Sequence, residues 1–333
     1  MKHKKIWLSA CILLLSLFTS MAAVPVFAEA IPESELRWKS CQTEDGKKGV
    51  AITGCTSEEA VWEFPSEIGG ESVLRIEQLH PNDPTYFNTT TKEIVIPEGV
   101  VEIDYAFAGY SALEKVTLPQ SLKSIGLGCF TGCSSLKEIN LPNGLESIGY
   151  EAFSYCKSLE RVVIPDSVTE LGTDVFLFCE SLKDVTLSAG LKEIPDNTFY
   201  MCKSLNSIVI PEGIERIGES VFDSDLKTVT LPESLTYVDN SGLKCGSLEK
   251  IVYNGTKAEF FQIGFYNDQM KYIGCPIECT DGTMIGYDLK ESGGTSDGKG
   301  AAKAIVAVVV IVLAVGGSVA AFLLIKRGKP TKQ

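Results

Sequence analysis

Histidine is nearly missing: there are two in 333 residues, His3 and His80. His3 lies in a segment expected to be removed, so every Ser-His-Asp or Cys-His arrangement, which needs an imidazole base, would have to use His80. That residue stands beside Pro81, where a surface turn accounts for it. The chain also lacks a phosphate-binding G-x-x-x-x-G-K-[ST] loop, a strand-borne G-x-G-x-x-G and an H-E-x-x-H pair. The C-x3-C spacings at Cys129/Cys133 and Cys275/Cys279 have no neighbouring histidine and make a poor metal signature. No catalytic residue, cofactor or metal follows from these residues, and an enzyme is not expected. Basic charge is short as well. Asp and Glu number 43 against 30 Lys and Arg, for a formal charge of −13. Lys and Arg gather at the two ends, so residues 29–298 are more acidic than the whole chain. Such a middle excludes binding of nucleic acid or anionic lipid by bulk electrostatics, and it favours basic or neutral partners.

Long apolar runs occur only at the ends. Lys2, Lys4 and Lys5 precede an apolar run from Ile6 to Phe18, and Val26-Phe27-Ala28 closes it with small-residue cleavage character. This predicts a signal peptide over 1–28. Ala304 to Ile325 has no charged residue and is long enough for a hydrocarbon core of about 30 Å. Lys326, Arg327, Lys329 and Lys332 follow it. The sequence therefore predicts a transmembrane helix over 304–325 and a cytoplasmic tail over 326–333, with the ectodomain outside as in a single-pass type I protein.

What fills the middle is a repeat. Phe107, Phe130, Phe153, Phe176, Phe199 and Phe222 recur every 23 residues. Cys133, Cys156, Cys179 and Cys202 keep the same step, as do Leu113, Leu136, Leu159, Leu182 and Leu205. Apolar columns in fixed phase indicate a solenoid, in which each coil covers the apolar face of the next. Within the unit beginning at Cys133, Leu136 to Leu141 alternates as a strand and Pro142 ends it. Gly149 suits a sharp bend, and Glu151-Ala152-Phe153 reads as one helical or 3-10 turn. The repeats are expected over 93–252, between an N-terminal cap over 29–92 and a C-terminal cap over 253–289, with a Gly/Ser-rich linker over 290–303. The period slips near Asp223 to Asp225. The four column cysteines are expected to be buried free thiols, because stacked residues at about 4.8 Å with parallel side-chain vectors do not suit a disulfide. A bridge between Cys41 and Cys55, or between Cys275 and Cys279, stays open.

The unit C-x-S-L-x-x-[IV]-x-[LI]-P-x-x-[LV]-x-x-[IL]-G-x-x-x-F resembles the BspA-like, Treponema pallidum-type leucine-rich repeat over about residues 93–252. Ser188 in place of the strand-ending Pro and Pro195 in place of Gly are local departures. The resemblance implies a bacterial surface protein with a curved solenoid and a parallel sheet on one face. Some such proteins adhere to host extracellular-matrix proteins or other cells. The expected fold class is thus an α/β solenoid: a right-handed, curved leucine-rich-repeat stack with parallel β-sheet and short helical or 3-10 turns, plus one C-terminal transmembrane helix. The expected function is protein–protein interaction at the cell surface, adhesion to host or neighbouring-cell macromolecules, with an extracellular protein or glycan as ligand. The alternative is a membrane-proximal receptor or scaffold for a partner in its own cell envelope.

Two outward stripes are candidates for contact. Thr117, Asn140, Val163, Thr186 and Val209 form a smooth β-branched floor on the main strands. Beside it, Glu93, Lys115, Glu138, Arg161 and Asp184 alternate in sign and are expected to pair with one another. The second stripe precedes the column cysteines: Gly132, then Tyr155, Phe178 and Met201, with Tyr200 adjacent. Exposed aromatics and Met in a row mark an interface. Alanine at Tyr155 and Phe178 is expected to abolish partner binding with little change in melting temperature.

Overall fold

The computed structural model describes residues 30–57, 59–77, 90–222, 225–243, 245–265 and 273–285. Each repeat makes one coil with three sides, and two sides carry short parallel strands. On the first side Val61–Glu63, Glu93–Val95 and Lys115–Thr117 pair in register. A bridge from Glu138 to Arg161 continues the line to the pair Arg161–Val163 and Asp184–Thr186. Ser207–Val209, Thr228–Leu231, Lys250–Tyr253 and Pro276–Cys279 then follow one another. The strands are short because only the central residue points inward. Val116, Val162 and Ile208 are buried between exposed neighbours, which is the period-two pattern of a half-buried strand.

The second side runs Glu71–Glu77, Glu102–Asp104, Ser124–Ile125, Ser147–Ile148 and Glu170–Leu171. It resumes as Glu193–Ile194, Arg216–Ile217, Tyr237–Val238 and Gly264–Phe265. Antiparallel hairpins close the stack. Leu36–Gln42 folds on Lys48–Cys55 at the start of the second ladder, and Gly282–Ile285 folds on Pro276–Cys279 at the end of the first. Trp62 and Phe64 in the first cap and Phe260 in the last are buried, as cap core should be, whereas Trp38 is exposed.

The periodic columns meet inside. Successive phenylalanine rings from Phe107 to Phe222 stack 5.4 to 6.0 Å apart and within 21° of parallel. The cysteine column lies beside them, fully enclosed. Each thiol donates a weak hydrogen bond to a carbonyl of the preceding coil: Cys133 to Phe107, Cys156 to Phe130, Cys179 to Phe153 and Cys202 to Phe176, at 3.2 to 3.3 Å. Tyr110 stands at the head of this column.

The expected class is corrected from α/β to a β-solenoid. Among the described residues the α-helix Lys257–Phe260 and the 3-10 turn Glu33–Glu35 make up the helical content. The predicted helical turn at Glu151-Ala152-Phe153 is a run of turns. Glu151 and Tyr155 have φ of 53° and 59°, outside the right-handed helix region. Alternate amides of this side bond to the next coil, as when Phe130 donates to Ala152, Phe153 to Val175 and Phe176 to Thr198 at 2.8 to 3.0 Å, and those between them bond three residues back, as Ala152 to Gly149 and Ser154 to Glu151. With every second N–H spent between coils and the others in single i→i−3 turns, no i→i−4 ladder forms. The predicted membrane helix over 304–325 lies outside the described residues. Among the described residues no helix is long and apolar enough to cross a membrane, and the β-solenoid class is that of the described residues. The signal peptide, His80 and the linker also fall outside them.

The packing adds two details. Gly149 follows the strand Ser147–Ile148 without a positive φ. A Cβ there would meet the Gly126 carbonyl carbon at 2.7 Å, and at Gly172 it would meet the Tyr150 nitrogen at 2.4 Å. The glycines allow close backbone approach between coils, which is the second use of that residue. The open bridges are closed as a question. Cys41 sits opposite Gly49 and Cys55 opposite Leu36, at different points of one hairpin. Cys275 and Cys279 lie along one extended segment, and all ten described cysteines are free thiols.

Candidate interaction surface

The third side of each coil carries the aromatic stripe, and the backbone explains its direction. The residue before the column position has φ of 80° at Gly109, 75° at Gly132, 59° at Tyr155, 58° at Phe178 and 61° at Met201. This left-handed conformation aims the side chain away from the core. Glycine adopts it freely; an L-residue costs about 1–2 kcal/mol. The first two coils use glycine, and the next three use large side chains. Hydrogen bonds between coils hold them in place: Gly132 N–H to Ser154 at 2.8 Å, Tyr155 N–H to Leu177 at 2.7 Å and Phe178 N–H to Tyr200 at 2.9 Å.

The rings contact one another. Tyr155 and Phe178 stack at 4.7 Å and 9°, and Tyr200 meets Phe178 edge to face at 6.3 Å and 83°. Stacking does not hide them. Tyr155 and Tyr200 are 42% and 38% exposed, while Leu177, Phe178 and Met201 are half-buried. The structure thus brings the three rings of the predicted stripe together, and Met201 occupies the next position of the same column. The signal for their strained backbone was present in the sequence, in the two glycines that precede them in the same column.

Charge flanks the stripe unequally. After it along each coil come Lys157, Glu180 and Lys203. Glu180 takes both lysines, at 3.6 and 3.0 Å, and the Lys203 hydrogen bond holds its carboxyl below the usual range. Before the stripe come Glu151, Asp174 and Asn197. Glu151 accepts the Tyr150 hydroxyl at 2.6 Å, and this bond pushes the phenol up to about 12. Neither Glu151 nor Asp174 has an ion-pair partner among the described residues.

The first-side strands carry the other candidates. Thr117, Asn140 and Thr186 are exposed, and Val163 and Val209 are 52% and 64% exposed. The neighbouring charges satisfy each other. Lys115 pairs with Glu93, and Arg161 with Asp184 at 3.6 Å. A second alternating column, one residue earlier, was not recognised from sequence: Lys92 pairs with Glu114 at 3.4 Å, Lys183 with Glu160 at 2.7 Å and Lys227 with Glu249 at 3.6 Å. Both columns lose charge at Asn206 and Ser207, beside exposed Val209. Cys133, Cys156, Cys179 and Cys202 lie in the core and take no part in any surface.

The repeated coil with its Phe and Cys columns matches the BspA type leucine-rich repeat region, in six copies over residues 82–205 and 148–271. The chain belongs to this family. Members of the BspA-like family are typically surface-associated and generally non-enzymatic, and leucine-rich-repeat proteins generally bind proteins. Among solved structures, the T. pallidum leucine-rich repeat protein is 29% identical with a TM-score of 0.50, over 57% of this chain and 85% of that one. A leucine-rich repeat protein from Bacteroides ovatus is 26% identical with a TM-score of 0.47, over 68% and 71%. A leucine rich cell surface protein from Faecalibacterium prausnitzii is 21% identical with a TM-score of 0.33, over 72% and 98%. No curated protein matches the chain.

Proposed function

We propose that this BspA-like protein is a non-enzymatic cell-surface protein that adheres to macromolecules of a host or a neighbouring cell. In this reading Tyr155, Phe178, Tyr200 and Met201 anchor a partner. One observation carries it: three successive coils place bulky, partly exposed side chains at left-handed backbone positions that two earlier coils fill with glycine. Strain of this kind persists where the surroundings hold it, and it clusters at functional sites. The floor of Thr117, Asn140, Val163, Thr186 and Val209 is a second, weaker contact surface, smooth but without an anchor. Lys2 to Phe18 and the sequence ending at Ala28 would direct export.

The test is binding of the full-length chain to a panel of extracellular-matrix proteins and glycans, in low and physiological salt. A saturable hit that survives salt and is lost in the Tyr155→Gly/Phe178→Gly variant is the expected result. Binding that is unchanged in this variant would remove the stripe from the mechanism. A panel with no saturable hit, together with no antibody labelling of intact cells, would overturn adhesion.

A further inference from the structure

The stripe also carries information about what it binds; this step rests on reading it as a contact site. We propose that its occupant is a basic amphipathic α-helix of a partner protein, lying along the solenoid axis. Its apolar side chains would sit over Tyr155, Phe178 and Met201, and its Lys or Arg side chains over Glu151 and Asp174.

Charge selects the sign. The lysines after the stripe are shared by Glu180, whereas Glu151 and Asp174 before it have no cation partner among the described residues. Lys157 and Lys203 stand against Glu180, Glu151 and Asp174, which leaves one negative charge in excess, and the two carboxylates without an ion pair among the described residues both lie on the flank before the stripe, within a chain of formal charge −13. A second copy of this chain would bring a like charge, and nucleic acid or an anionic membrane would be repelled. A basic segment is drawn in by the same field and finds carboxylates at the edge of the apolar contact.

Spacing selects the shape. Coils of a parallel β-stack repeat about every 4.8 Å, and an α-helix rises about 5.4 Å per turn. Apolar residues at i, i+4 and i+7 span about 10.5 Å, against about 9.6 Å for two steps of the stack. Same-face residues of an extended strand are about 6.7 Å apart and fall out of step by about 2 Å at each coil. Polarisable Met201 and the ring edges adapt to leucine or methionine side chains, as in helix-in-groove recognition.

The experiment uses the full-length chain and a labelled synthetic helix with Leu at i, i+4 and i+7 and Lys along one flank. Companion peptides replace Lys with Glu, or rearrange the same residues into a period-two pattern. Fluorescence anisotropy should show saturable binding of the basic helix only, weakening as salt rises. Glu151→Gln/Asp174→Asn should keep the fold and lower affinity about tenfold, the equivalent of 1.4 kcal/mol. Tyr155→Gly/Phe178→Gly should abolish binding. If the glycine variant instead loses binding of the acidic or period-two peptide, or loses self-association in sedimentation, the helix is wrong while the contact site stands. If no probe responds to the glycine variant, both are wrong.

Discussion

Glycine and alanine at Phe178 should rank in the reverse of their usual order. Both substitutions remove a half-buried ring stacked on Tyr155 at 4.7 Å, a pair interaction of about 0.5–1.5 kcal/mol beyond its buried area. They differ in the backbone. Phe178 has φ of 58°, where an L-alanine costs about 1–2 kcal/mol and glycine nothing. Glycine in turn gives the unfolded chain more freedom, a penalty of about 0.4–1 kcal/mol. The balance leaves Phe178→Gly more stable than Phe178→Ala by about 0.5–1 kcal/mol. At Ala152, which is buried and has no positive φ, glycine should be destabilising in the ordinary way. Urea unfolding at constant m-value reads the difference, and for a domain of this size it amounts to about 1–3 °C in melting temperature. An alanine variant as stable as the glycine one, or more so, would refute the left-handed account of the stripe. The same reasoning makes glycine the cleaner probe of binding, because alanine keeps the strain after the stacking that offsets it has gone.

Gly172→Ala should cost about 1–3 kcal/mol, since its Cβ would lie 2.4 Å from the Tyr150 nitrogen and 2.6 Å from the Gly149 carbonyl carbon; a variant with wild-type urea midpoint would show that the coils can separate freely. In the native protein a thiol reagent should label half-buried Cys41, Cys245 and Cys279 first. The enclosed column should react only on unfolding, because burial pushes Cys156 up to about 12 and Cys133 and Cys179 well above the ordinary thiol value. Rapid native labelling of Cys156 would contradict the packed core. The pH response combines two signs. Glu180 is held low by Lys203, and Asp239 by the Asn240 amide and then Arg216, so their stabilisation is present above the unfolded carboxylate range and lost as pH falls through their lower folded values. Glu102 and Asp104 are pushed up by burial; they destabilise above their raised folded values and cease to do so as pH falls through them. The urea midpoint should therefore hold or rise slightly from pH 7 toward about 5 and drop below about 4. A steady decline from pH 7 would mean that half-buried Glu102 and Asp104 are not destabilising.

The solenoid was legible because its signal is additive. Six phenylalanines at one spacing fix a column whatever each would do alone, and in the structure they form one stack. The helical turn was misread for a related reason. Glu151-Ala152-Phe153 has helix-compatible residues, and nothing within those three says that the amides of Glu151 and Phe153 bond to the next coil. The clue lay across coils. Asn197, Ser220 and Ser241, in the column of Glu151, all have positive φ, and Gly128 in that column already suggests it. Glycine at 149 permits a bend, and in the structure it also supplies room for the Gly126 backbone, a fact about a residue 23 positions away. Composition within one coil reports local preference, and contact between coils overrides it.

That distinction also separates core from surface in the functional reading. The phenylalanine column repeats almost unchanged from coil to coil, so it specifies stacking and nothing about a partner. The two residues before the column position on the third side do change: Ala108-Gly109, Thr131-Gly132, Ser154-Tyr155, Leu177-Phe178 and Tyr200-Met201. Small and polar residues give way to large apolar ones along the stack, at a position where the backbone makes large residues costly. Stability alone would favour glycine there, as in the first two coils. A contact that exists only when a partner arrives is the kind of gain that offsets such a cost without appearing in the isolated fold. Moving the stripe tests this directly. Gly132→Tyr should extend the stack by one ring against Tyr155, lower the melting temperature through the left-handed penalty, and tighten binding of a helix one turn longer. Tighter binding of the original helix instead would show that the ring column is a general apolar surface with no register of its own.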